Sequence, residues 1–164
     1  MAQAPVRFLP PPVLSAVPIQ ALCGEDDHDT ALLREMAGQA VQYVREFPWC
    51  LEIHEQYFGD GIGGVVALFL FRVAIRELDA PEWLWVIVGD LPSTYFGFRD
   101  FPTPRAALLL YIEGVEEWLA ASPEERASGD LIPIDVPRAP EYLVLLKGRA
   151  DTLRSSVLAH IRDS

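Results

Sequence analysis

The 164 residues carry 24 acidic side chains against 13 basic ones, a formal net charge of −11. No stretch is dense in Lys or Arg, which argues against nucleic acid and anionic membrane surfaces as partners and favours a basic protein. Hydrophobic residues make up 51% of the chain, enough for a core without metals or disulfides, and Cys23 and Cys50 are too few for a secreted disulfide scaffold.

The longest apolar run, Gly61 to Phe71, is about half the roughly 20 residues a membrane-spanning helix needs. Near the N-terminus, Arg7 is followed by Pro10 to Pro12 and not by a continuous apolar stretch, so the expected location is the cytoplasm. Cys50 lies among apolar neighbours and reads as a small buried hydrophobe; a bridge to Cys23 stays open at this level.

Residues 1–24 contain Pro5, Pro10 to Pro12 and Pro18 without periodicity. They read as a proline-rich arm, loose or lying along a single domain of residues 25–164. The acidic run Glu25-Asp26-Asp27-His28-Asp29 precedes Leu33, Met36, Ala40, Val41, Val44 and Phe47, whose spacing predicts a helix over about 30–47. Carboxylates at that end complement the helix dipole and cap free amides.

Residues 49–58 fit two patterns. Trp49, Ile53, Gln56 and Tyr57 share a helical face, whereas Leu51 and Ile53 alternate with Glu52 and His54 as in a strand. A short helix is the preferred reading. Gly59 to Gly64 reads as a flexible turn, Val65 to Ile75 as a buried strand, and Trp83 to Val88 as its antiparallel partner. Thr94 to Phe98 reads as a short third strand.

Thr103 and Pro104 supply an N-cap and a first-turn proline, predicting a helix over about 104–121 with Leu108, Tyr111, Ile112, Val115, Trp118 and Leu119 as its stripe. Ser122-Pro123-Glu124-Glu125 is a capping box. Leu131 to Val136 reads as extended. Pro140 opens a helix over about 140–162, with Tyr142, Leu146, Ala150, Leu153, Val157 and Ile161 on one face. This order predicts an α+β fold, three main helices packed against one face of a small antiparallel sheet built on the 65–75 and 83–88 hairpin.

Three motif fragments fail on context. Gly59-Asp60-Gly61-Ile62-Gly63-Gly64 matches a dinucleotide fingerprint but leads into a strand, not out of one into a helix. His54-Glu55 opens a zinc-protease motif whose second imidazole is replaced by Phe58. Ser93 lacks the glycines of a nucleophile elbow. No cofactor, metal or catalytic motif is complete.

What remains is a group expected around the ends of the central strands: Trp49, Glu52, Tyr57, Asp60, Trp83, Trp85, Asp90 and Tyr95. The plain reading is core filling, with Asp90 capping a turn. Tyr and Trp also anchor protein interfaces, and carboxylates in a concave site do acid–base work.

The segment Trp83-Leu84-Trp85-Val86-Ile87-Val88-Gly89-Asp90-Leu91-Pro92-Ser93-Thr94-Tyr95 resembles a stretch in a family of small bacterial proteins whose motifs are structural in type, and the likeness extends over the first helix through the one starting at Pro104. In size, acidity and hairpin-plus-helices layout, the chain also resembles immunity proteins of bacterial toxin systems. That likeness implies a binding module, not an enzyme, with Glu25 to Asp29, Glu52, Glu55, Asp60, Glu113, Glu116 and Glu117 facing a basic partner. Tyr57 or Tyr95 would be the anchor. The alternatives are a small enzyme or ligand-binding domain with a pocket near Asp90, and a homo-oligomer pairing through the last helix.

Overall fold

The acidic run does what its position in the sequence suggests. In the computed structural model, which describes residues 11–13, 15–99, 101–127 and 140–164, helix α1 spans Asp27–Arg45. Asp26 is its N-cap and accepts from the Asp29 amide at 2.7 Å. That cap starts the helix three residues earlier than the apolar spacing indicates. Leu33, Met36, Ala37, Ala40 and Val44 form its buried stripe.

Five antiparallel strands follow in simple meander order: β1 Val17–Pro18, β2 Cys50–Ile62, β3 Val66–Ile75, β4 Glu82–Gly89 and β5 Thr94–Gly97. Helix α2 (Pro104–Ala120) starts as expected, with Thr103 accepting from the Ala106 amide. The Ser122 capping box closes as expected on helix α3 (Pro123–Ala127), its hydroxyl accepting from the Glu125 amide. Helix α4 (Pro140–Thr152) continues through wider and tighter turns to His160. The fold is α+β. Pro5 and Pro10 of the arm and the extended segment expected at Leu131 to Val136 lie outside the described residues.

The helices do not share one face of the sheet. Helix α1 packs on Phe58, Ala67, Phe69, Phe71, Val73, Leu84, Val86 and Val88. Helices α2 and α4 pack on Val66, Leu68, Leu70, Trp85 and Ile87 from the opposite side. The reason is visible in β3, where Val66 to Phe71 are buried at every position. A strand apolar on both faces needs a layer on each. The stripe Leu146, Ala150, Leu153, Val157 and Ile161 is consumed in the second core, so it is not free to pair with another copy. Tyr142 is about half exposed and falls off the stripe.

Residues 49–58 are not helical. Trp49 lies in the turn before β2 and residues 50–58 belong to that strand, which extends through the expected turn to Ile62 and leaves only Gly63 to Val65 to connect to β3. Gly64 has φ of +76° there, a value that favours glycine. The described part of the arm is integral to the domain: Val13, Ala16 and Leu22 are buried, and Val17 and Pro18 pair with Phe58 and Tyr57.

Candidate functional site

Strand β2 is interrupted by register shifts at Cys50/Glu52, Ile53/Glu55 and Phe58/Asp60. Each inserts an extra residue into one strand of the pair and turns the following side chains. Glu52 pairs opposite Ala74, Glu55 opposite Arg72 and Tyr57 opposite Leu70. Alternation along β3 therefore puts all three on the face that holds Leu70, the α2 and α4 side. With Asp60 opposite Leu68, four of the six residues expected to bind a partner thus come together along one strand.

Among the described residues Glu55 is the one buried carboxylate, its side chain 4% exposed. It faces Arg72, with Nη1 to Oε2 at 3.3 Å, and accepts from the Tyr57 hydroxyl at 3.4 Å. Burial, then the adjacent Glu55 carboxylate, push the Tyr57 phenol upward. Trp83 lies against the Tyr57 ring at 5.8 Å between centroids. Pro18, Gln20, His54, Glu55, Gln56 and Tyr57 line a cleft of about 320 Å³ at this edge. Glu52 stands outside it, its side chain 71% exposed and 3.9 Å from the His54 imidazole.

At the start of β2 lies a second feature. Tyr43, Phe47, Trp49 and Tyr95 form a contiguous aromatic group, with Phe47–Trp49, Phe47–Tyr95 and Trp49–Tyr95 centroids 5.2, 5.0 and 4.8 Å apart. All four rings are half-buried, and Tyr43, Trp49 and Tyr95 pack inward against the α1 core. Burial, and secondarily Tyr95, hold the Tyr43 phenol up at about 12, against an ordinary 10.0.

The neutral phenol is therefore favoured in the folded state. Its contribution is intact below pH 10 and falls as pH rises towards about 12, where the unfolded chain has already lost the proton. A Tyr43→Phe variant should show a flatter alkaline limb in chemical denaturation measured from pH 9 to 12. An unchanged limb would show that this phenol is not the group responsible.

Asp60, at the far end of β2, and the remaining expected site residues serve the fold. Asp60 accepts from the Gly61 amide and from the Arg162 amide at 2.9 Å, tying the C-terminal segment to β2. Asp90 is largely exposed and pairs with Arg149 at 3.1 Å, while its amide donates to Val65. A shallow cleft of about 220 Å³ beside it is lined by Leu32, Glu35, Met36, Gln39, Gly64 and Gly89. Tyr95 faces α1, away from Tyr57. Within the acidic run, Asp26 caps α1 and Asp29 accepts from the Gly63 and Glu25 amides, which leaves Glu25 and Asp27 outward. Glu113, Glu116 and Glu117 are exposed on α2, with Glu116 held by Arg154.

Both cysteines are free thiols, and burial raises Cys50 against the opposing effect of Arg45. The fingerprint-like glycines sit at a bulge and a strand turn. A Cβ on Gly59 would come within 2.9 Å of the Trp85 ring. The sequence reading does not single out Arg72 or Tyr43, and it gives Phe47 only as part of the first helix's apolar pattern. A signal for Arg72 was present, since it is the only charge between Val65 and Ile75.

No protein-family model matches the chain, and neither does any curated protein or solved structure. Among the described residues no helix is long and apolar enough to cross a membrane.

Proposed function

We propose that this protein is an acidic protein-binding module for a basic partner, used as an immunity-type inhibitor that masks a toxin's cationic surface. The observation that supports this is the strip along β2. It carries exposed Leu51 and Glu52 and the Glu55–Tyr57 cleft, with the aromatic group around Trp49 at its start on the α1 side. Half-buried aromatics supply area that a partner desolvates, and carboxylates beside them supply sign selection. The net charge of −11 steers a basic partner towards the molecule at long range.

The test is capture of a partner on the immobilised protein, followed by affinity measurement at rising salt. The Debye length falls from about 10 Å at 0.1 M to about 3 Å at 1 M, so affinity should drop steeply over that range. Glu52→Lys, exposed and remote from the core, should weaken binding by about tenfold, roughly 1.4 kcal/mol. An affinity flat in salt and indifferent to Glu52→Lys would remove the proposal.

A further inference from the structure

Building on that reading, we infer that the outer edge of β2 from Leu51 to Gln56 receives an extended segment of the partner as an added strand, carrying Arg or Lys at alternate positions. Among the described residues, β2 is paired on its outer side only at Tyr57 and Phe58, by β1. That short ladder shows that the edge accepts an antiparallel strand. It stops for a local reason: Pro18 has no amide hydrogen to donate, and the chain then turns into a 3₁₀ turn at Ile19–Ala21. Among the described residues the edge beyond it continues without a strand, and another chain can supply partners to its outward backbone groups.

The side chains specify what that strand carries. Glu52 and Glu55 are three residues apart in sequence, but the bulge between them sets them opposite Ala74 and Arg72, two residues apart on β3. Their spacing is therefore that of alternate residues in a regular strand, about 7 Å. An added strand with cations two residues apart meets exposed Glu52 directly and reaches buried Glu55 through the cleft that it lines. Glu55 has capacity for such a group. Its contacts to Arg72 and Tyr57 are long, 3.3 and 3.4 Å, and a carboxylate accepts about four hydrogen bonds. The cleft around it has space, about 320 Å³.

A second copy of this chain fits poorly, because it brings the same carboxylates against one another. The bulges also explain why the edge does not pair indiscriminately. They break its regularity, so side-chain charge and not backbone alone decides what docks.

The probe is the peptide acetyl-Thr-Arg-Val-Arg-Val-Thr-amide, titrated into the ¹⁵N-labelled protein at low salt. The control is the same peptide with its valine amides N-methylated, which keeps the charge and removes strand pairing. Shift changes and slowed hydrogen exchange are expected at Leu51 to Gln56, with the methylated peptide at least about tenfold weaker. Glu52→Lys should weaken the parent peptide by a similar factor.

Equal binding of the two peptides, or perturbation centred on Glu113 to Glu117, would overturn strand addition while leaving the acidic-module reading in place. Absence of saturable binding would overturn it too, and so would self-association through β2 that strengthens with salt. The broader reading is decided separately by the salt dependence of the captured partner.

Discussion

Arg72→Ala should destabilise the domain by about 3–5 kcal/mol, the range for stranding one member of a buried ion pair. Both partners are largely out of water, the Arg72 side chain at 13% and the Glu55 side chain at 4% exposed. The pair itself adds little over an apolar replacement, because desolvating two charges costs about as much as their attraction returns. The loss comes from what remains: a carboxylate held in the sheet with only the long Tyr57 contact. Adding Glu55→Gln to Arg72→Ala removes that stranded charge, so the double variant should be more stable than the single one. Urea unfolding of the three proteins decides this. A double variant less stable than Arg72→Ala would show that the stranded charge is not the cause.

The same pair illustrates where the sequence was readable and where it was not. Features fixed by neighbours in the chain came through: the Thr103–Pro104 start, the Ser122 capping box, the α1 stripe and the buried β3 run. Residues 49–58 were misread because two bulges fall inside them. An extra residue at each converts the two-residue alternation of a strand into a three-residue rhythm. Cys50, Ile53 and Gln56 then face α1, as they would on one side of a helix. Bulges are set by the pairing partner, here β3, and not by local propensity.

The site group scattered for a related reason. Glu52, Glu55, Tyr57 and Asp60 share a strand and a face, but Asp60 is taken up by the segment at Arg162, Asp90 by helix α4, and Tyr95 points to the other face. Those pairings span between 59 and 102 residues of chain, beyond the reach of any local pattern.

Trp85→Ala should cost a comparable amount, about 3–5 kcal/mol, but by a different mechanism. The indole is fully buried between the sheet and the helices α2 and α4, and its Nε1 donates to the Phe101 carbonyl at 2.8 Å. Truncation empties that volume and leaves the part-buried Phe101 carbonyl without its donor. Trp85→Phe restores most of the ring but not the hydrogen bond, so it should lose only about 1–3 kcal/mol. The difference between the two variants, read from urea midpoints at unchanged slope, separates the packing contribution from the polar one.

Trp85 also bears on the site through Gly59, the extra residue of the third bulge, whose absent side chain makes room for the ring. If ring and glycine set that bulge together, Trp85→Ala should speed hydrogen exchange at Phe58 to Gly61 more than at the α1 amides. Uniform acceleration would mean that the bulge is held by the β2–β3 ladder alone. In that case the strip from Trp49 to Tyr57 keeps its geometry when Trp85 is lost, and binding of a basic partner should survive in whatever fraction of the variant remains folded.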